Sequence, residues 1–318
     1  MADHNFSPAP FGPATSKGGL ALREQAAAET LGIVGAPFAL AAKLVEDSGF
    51  DAVYLSGAAF SAGTLGVPDI GLFSRDQLVE QTRILARATT IPIVVDADTG
   101  FGGPNDVAET VRLLEEAGAA AVQIEDQPGF SAGFTAGGKR CGHLGGKQVV
   151  DPAVMRDRVA AAVAGRRDPS TVIIARSDAR SVTDFDDLLG RLHTYQEAGA
   201  DWLFPEALHS RDEFMHVGRE FAGGPLLLAN MTEFGRSPLI SIPDLAKYGF
   251  GGVLYPVTLL RLAMKAMEAG LAVIADEGTQ ESLLDLMQSR EELYEMLDYD
   301  PADPDRHLAG PAAAREEE

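Results

Sequence analysis

Four times along the chain an amphipathic segment runs into a glycine and a short apolar run follows: EDSGFDAVYLSG, EEAGAAAVQIED, QEAGADWLFPEA and AKYGFGGVLYPV, broken at Gly49, Gly118, Gly199 and Gly249. Glycine suits the position just past a helix, where a left-handed residue turns the chain into the next strand. Between these segments lie IPIVVDAD, TVIIARSD and PLLLANMT, each entered from a Pro, Ser or Gly turn and followed by a helical pattern. ETLGIVGAPFAL, near residues 29–40, supplies the earliest run and brings the total to eight. Runs built almost without interruption from Val, Ile, Leu and Ala are strands buried on both faces of a parallel sheet. Eight such units predict an α/β fold of the (β/α)8, TIM-barrel type; no GxGxxG fingerprint supports an open doubly wound sheet instead.

One barrel domain is expected over 21–300, after a flexible segment at 1–20 and before an acidic flexible tail at 301–318. Additional C-terminal helices are expected at about 278–288 and 290–298, where Leu283, Leu284, Leu286 and Met287, then Leu293, Met296 and Leu297, recur at helical spacing. They exceed what a barrel needs, so their apolar surface covers the mouth or meets a neighbouring subunit. The formal charge of -21 argues against nucleic acid and anionic membranes as partners. It also makes any local group of Lys and Arg informative. A single cysteine forms no intramolecular disulfide, the first twenty residues lack the features of a secretory signal, and no apolar run reaches transmembrane length. A cytoplasmic location fits.

In a barrel of this kind chemistry gathers where the strands end. The runs here end in Ser56, Asp96 with Asp98, Glu125 with Asp126, Arg176, Glu206, Asn230 and Tyr255. Asp96 and Asp98 are two apart and leave the same face of a strand. Such a pair suits magnesium, which takes one or two carboxylates. Asp98 opening the GFGGPN turn and Asp96 making a structural hydrogen bond is the plainer alternative, and Glu125 and Glu206 tip the balance towards a metal site. In KRCGH, Lys139, Arg140 and His143 surround Cys141, and neighbouring positive charge lowers a thiol pKa from about 8.5 towards neutrality. Such a thiol can exchange a proton. Other fates for it are an inert buried cysteine or a Cys–His nucleophile, for which no orienting third residue stands out. The glycine-rich PGFSAGFTAGG upstream reads as a lid. Arg176, Arg261 and Arg290, with Lys139 and Arg140, are candidates for gripping carboxylates, although Arg261 and Arg290 singly read as surface helix residues. Metal, thiol acid and arginines together suggest cleavage beside a carboxylate.

From about residue 20 to 300 the chain resembles the isocitrate lyase and phosphoenolpyruvate mutase superfamily. The resemblance is carried by YLSGA at 54–58, VDADTGFGG at 95–103, IEDQ at 124–127, KRCGH at 139–143, ARSDA at 175–179, LFPEA at 203–207, ANMTEFG at 229–235, LYP at 254–256 and EGTQESLLDLMQSREELYE at 277–295. It implies Mg2+ held directly by Asp96 and Asp98 and through water by Asp69 and Glu125. Implied substrate contacts are Ser56, Gly57, Ala58, Cys141, Gly142, Arg176, Glu206, Asn230, Met231, Thr232, Arg261 and Arg290. Implied catalytic residues are Cys141, which delivers a proton, and Tyr54 near the substrate hydroxyl; Lys139, His143 and Glu206 join them as candidates. The implied reaction is cleavage of 2-methylisocitrate to pyruvate and succinate, in the methylcitrate cycle of propionate catabolism, with Phe204 and Leu254 leaving a niche for the methyl group. The implied assembly is a homotetramer with the last barrel helix swapped between subunits. KRCGH separates the chain from the phosphonomutase and oxaloacetate decarboxylase branches. Departures from the family pattern are Ala58 for a second glycine, LGG after KRCGH, and an insertion before Lys139. Isocitrate or oxaloacetate cleavage is the alternative activity. A barrel that only binds a dicarboxylate would predict loss of Cys141 or of one Asp, and all three are present.

Overall fold

The computed structural model describes residues 17–129, 139–140 and 146–303. The expected lid, Cys141, Gly142, His143 and almost all of both expected flexible ends therefore lie outside the described residues. The rest falls into two units, Ser16–Leu260 and the segment from Arg261 onward.

In the first unit the strands β1 Leu31–Gly35, β2 Ala52–Leu55, β3 Ile93–Asp96, β4 Ala121–Glu125, β5 Val172–Ser177, β6 Trp202–Pro205, β7 Leu226–Asn230 and β8 Gly252–Tyr255 pair in sequence order. All pairs are parallel, and β1 joins β8 to close the barrel, with Ile33 opposite Leu254. Helices α1 Gly19–Ala28, α2 Ala39–Asp47, α3 Gly57–Ala59, α4 Arg75–Ala88, α5 Pro104–Glu116, α6 Pro152–Gly165, α7 Phe185–Glu197, α8 Arg211–Glu220 and α9 Ile242–Lys247 precede or connect the strands. Gly49, Gly118, Gly199 and Gly249 have φ of 78°, 106°, 99° and 94°, each one residue past a helix cap. The expected glycine stops are therefore borne out. Gly218 on α8 is needed for a different reason. A Cβ there would stand 1.5 Å from the Tyr248 carbonyl oxygen at the end of α9, so only a bare Cα lets the two helices approach this closely.

Alternation along the strands sorts the core in two. Ile33, Tyr54, Val94, Ile174, Phe204, Leu228 and Leu254 fill the barrel interior, while Val53, Val95, Ile124, Ile173 and Leu203 pack outward against the helices. The lower end is closed by α1, which the sequence reading did not anticipate. Leu22 joins the interior cluster, Arg23 donates to the Ser170 carbonyl at 2.7 Å and pairs with Asp201 at 2.7 Å, and the Lys17 amide bonds the Thr90 carbonyl at 2.8 Å. All three partners precede strands, so α1 covers the end of the barrel where the strands begin.

The C-terminal unit takes up most of α10, Thr258–Glu277, which contains no buried residue, and α11, Arg290–Met296. A capping box between Ser289 and Glu292 starts α11. The helix expected at 278–288 is instead a left-handed Gly278 at φ 71° and a 3-10 turn, Glu281–Leu286. Leu262, Met267, Leu271 and Leu286 are 62%, 52%, 68% and 83% exposed. No helix among the described residues is long and apolar enough to cross a membrane.

Candidate active site

At the other end of the barrel, where the strands finish, inward-facing polar side chains form an arc. Ser56 follows β2 and caps α3, accepting from the Ala59 amide at 3.3 Å. Asp96 ends β3. Its carboxylate accepts from the amides of Gly57 at 3.1 Å and Asp98 at 3.2 Å and from Gln123 Nε2 at 3.1 Å. Gln123 in turn accepts the Tyr54 hydroxyl at 2.5 Å. Burial, reinforced by Asp96, pushes the Tyr54 phenol well above its ordinary pKa, so it is a neutral donor to Gln123. Asp98 adopts φ 51°, a left-handed conformation that Asp tolerates better than most side chains. A Cβ on Gly57 would meet carboxylate oxygens of both Asp96 and Asp98 at 3.1 Å. The two acids therefore converge on a bare glycine.

Lys139 is buried beside them, with its ammonium paired to Asp98 at 2.5 Å and also to Asp69. Burial pushes Asp98 up to about 7 against the opposing pull of Lys139, and Asp96 and Asp69 add to the rise. Burial by itself would lower Lys139, but Asp98, Asp69 and Glu125 outweigh it and hold the ammonium charged. A cavity of 440 Å³ opens beside this cluster, walled by Gly71, Leu72, Phe73, Phe101 and Arg158 as well as Asp98 and Lys139.

Further round the rim Arg176, near the end of β5, is braced from several sides. Its guanidinium donates to both oxygens of Asp178, at 3.1 and 3.0 Å, and lies 3.3 Å from Glu125 and 3.7 Å from Glu206. It also sits 5.2 Å over the Phe204 ring. Lys147 pairs with Asp178 at 2.5 Å in a fully buried contact. Glu206 accepts from Asn230 Nδ2 at 3.3 and 3.2 Å. Buried charges persist only when paired, and here they pair with one another around the rim. Burial drives Glu125 well above the carboxylate range, with Arg176 opposing and Asp178 adding to the rise.

The arc thus brings together Ser56, Gly57, Asp69, Asp96, Asp98, Glu125, Lys139, Arg176, Glu206 and Asn230. Phe204 and Leu254, both buried, face the interior in the layer beneath. Met231 turns outward, its sulfur taking the Ile240 amide at 3.2 Å. Ala58 and Thr232 are half-buried. Arg261 and Arg290 belong to the C-terminal unit and are exposed. Asp126 follows Glu125 and so points the opposite way. It holds β4, β5 and α7 together, accepting from Ser177 at 2.7 Å, Tyr195 at 2.8 Å and the Asp178 amide at 2.9 Å.

The donors fit magnesium. Asp98 Oδ2 is buried without a hydrogen-bond donor, Asp98 Oδ1 and Glu125 Oε2 meet only the cations Lys139 and Arg176, and the available atoms are hard oxygens. Among the described residues no three His, Cys, Asp or Glu side chains form a ligand cluster. That is a poor match for structural zinc and no obstacle for Mg2+, which keeps several waters.

Residues 25–275 match the sequence profile described as phosphoenolpyruvate phosphomutase. The chain belongs to the phosphoenolpyruvate phosphomutase family. It is 48% identical over 266 residues to a probable 2-methylisocitrate lyase of Corynebacterium glutamicum, covering 84% of each chain. Two solved structures share the fold. A 2,3-dimethylmalate lyase aligns with TM-score 0.81 at 30% identity, over 94% of this chain and 98% of that one. A phosphonopyruvate hydrolase in complex with oxalate and Mg2+ aligns with TM-score 0.78 at 27% identity, over 94% and 99%.

Within this phosphomutase-family barrel, residue-type reasoning found the acids and Arg176 but gave no role to Gln123, Gln127, Lys147 or Asp178. Gln123 alternates with Ala121 and Glu125 on β4, and a polar residue on the interior face of a buried strand was the available signal. Nothing local marks Lys147, whose partner is 31 residues away.

Proposed function

We infer that the chain is a magnesium-dependent carbon–carbon lyase that cleaves 2-methylisocitrate to pyruvate and succinate, within the methylcitrate cycle of propionate catabolism. The observation that carries this reading is the arrangement of the mouth, a buried Asp96–Asp98 pair at the end of β3 and, two strands along the rim, a buried and braced Arg176, in a chain whose relatives at 40–48% identity bear the name 2-methylisocitrate lyase.

Held by Asp96 and Asp98, with Asp69 and Glu125 reaching its waters, Mg2+ would supply positive charge against the alkoxide-like charge on the hydroxyl oxygen of the pyruvate half. Arg176, fixed by Asp178 and backed by Phe204, grips a substrate carboxylate with its planar fork. Ser56, Gly57, Ala58, Glu206, Asn230 and Thr232 complete the lining. Tyr54, spending its proton on Gln123, accepts a hydrogen bond from the substrate hydroxyl. As the carbon–carbon bond breaks, the substrate hydroxyl gives its proton to a rim carboxylate, for which Glu206 is the candidate, its oxygen becomes the pyruvate carbonyl, and the bond's electron pair passes into the succinate half, spread over the adjoining carboxylate. The Cys141 thiol then delivers the proton that completes succinate, with Lys139 and His143 supplying positive charge nearby. Phe204 and Leu254 leave room for the methyl group, a preference worth about 1 to 3 kcal/mol. The assembly belonging to this reading is a cytoplasmic homotetramer that exchanges α10, supported by the exposed apolar residues of that helix.

Product analysis with Mg2+ and, separately, 2-methylisocitrate, isocitrate and oxaloacetate tests the reading. Pyruvate and succinate are expected fastest from 2-methylisocitrate; another acid cleaved in preference overturns the substrate, and no turnover of any overturns the lyase. Cys141→Ser is expected to lower kcat about 10²- to 10⁴-fold, the usual worth of a general acid, with an unchanged circular dichroism spectrum. Substantial turnover in that variant removes Cys141 as the acid.

A further inference from the structure

Two residues beyond Glu125, the side chain of Gln127 is fully buried and spends its whole amide on two neighbours. Nε2 donates to Glu125 Oε1 at 3.0 Å and to the Arg140 carbonyl at 2.8 Å, while Oε1 accepts the Arg140 amide at 2.9 Å. What it grips is backbone on both sides of one residue, as a neighbouring strand would, and the Arg140 side chain is exposed. The grip is itself anchored, because Arg158 Nη1 donates to the main-chain carbonyls of Gln127 at 2.9 Å and Glu125 at 3.3 Å. Residue 139, directly before the gripped backbone, carries the ammonium that pairs with Asp98 and Asp69.

We propose that Gln127 is a positioning residue, a clasp that ties the Lys139–Arg140 backbone to the end of β4 and thereby sets the Lys139 ammonium between Asp69 and Asp98 and the Glu125 carboxylate beside them. Only a primary amide of this length does both jobs. A carboxylate keeps the acceptor but loses the donor, sets a negative charge against the Arg140 carbonyl and repels Glu125. An aliphatic side chain deprives the part-buried Arg140 amide and carbonyl of that partner. The carbonyl it holds also belongs to the peptide that joins Arg140 to residue 141. Its consequence for turnover rests on the lyase reading above; the clasp itself does not.

Gln127→Leu and Gln127→Glu would be compared with the unaltered chain by amide hydrogen exchange, by Mn2+ titration and by kinetics with 2-methylisocitrate. In Gln127→Leu the Arg140 amide is expected to exchange at least about tenfold faster while amides in β1–β8 keep their protection. Mn2+ affinity and kcat are each expected to fall about 10- to 100-fold, the usual effect of losing an outer-shell partner, with KM moving less than kcat. Gln127→Glu is expected to keep much of the Arg140 protection and still lose Mn2+ affinity. Unchanged exchange at Arg140, or faster exchange spread over all the strands, overturns the clasp. A chain that does not cleave the acid at all while Arg140 exchange and Mn2+ affinity respond as expected sinks the lyase reading and leaves the clasp standing.

Discussion

Asp96→Asn is expected to lower turnover at saturating Mg2+ by about 10³-fold or more. A bound divalent cation contributes several kcal/mol to stabilising developing charge, and each 1.36 kcal/mol is a factor of ten. Asn is nearly isosteric and keeps one acceptor for the Asp98 amide and Gln123, leaving one donor, the Gly57 amide, badly matched. That mismatch costs about 1 to 3 kcal/mol, partly offset by relief of repulsion from Asp98. The chain is therefore expected to stay folded, with a modest change in Tm, while Mg2+ binding by calorimetry disappears. Full turnover in this variant, or in the unaltered chain with excess chelator, would remove the metal from the reaction.

The second large effect concerns stability and sets two helical glycines against each other. Gly218→Ala places a methyl group 1.5 Å from the Tyr248 oxygen, with the Tyr248 carbonyl carbon at 2.7 Å. Backbone cannot rotate aside as a side chain can, so α8 and α9 must separate. Overpacking of this kind costs about 1 to 3 kcal/mol and more where the backbone is fixed, and the expected loss lies at or above the upper end. Gly190, in the middle of α7, has nothing within 4 Å of its added Cβ. There the ordinary helix preference for Ala stands alone, and Gly190→Ala is expected to gain about 0.5 to 1 kcal/mol. Urea denaturation of both variants checks the pair. Equal shifts of either sign would mean that the α8–α9 approach does not bear on stability.

The strands were legible because apolar runs of this length with glycine stops have few other uses, and all eight fall where the runs lie. The mouth was legible for the same reason: Asp96, Glu125 and Asn230 end their strands, and Ser56 and Glu206 directly follow theirs. Less legible was anything fixed by partners distant in sequence. Asp126 looks like a second rim acid beside Glu125, and only the pleat sends it outward to Tyr195, 69 residues on. Gln127 carries no charge and sits in no motif with a mechanism, so its hold on Arg140 emerges only when the chain folds. Helix α1 was missed because GLALREQAAA has no strong apolar face; of its two leucines only Leu22 is buried, and the rest of its docking is polar, through Arg23. The 278–288 stretch has helical spacing, but Gly278 ends α10 and the chain tightens to a 3-10 turn before Ser289 starts α11.

The docking of α1 also bears on how the molecule can be handled. Lys17 and Arg23 tie that helix to Thr90, Ser170 and Asp201, all on the face where the strands begin. A purification handle, a fluorescent fusion or a tether to a solid support joined directly to Lys17, in place of residues 1–16, therefore starts from the end of the barrel where the strands begin. Held that way, the barrel is gripped by the end opposite the one where Asp96, Arg176 and Glu206 lie.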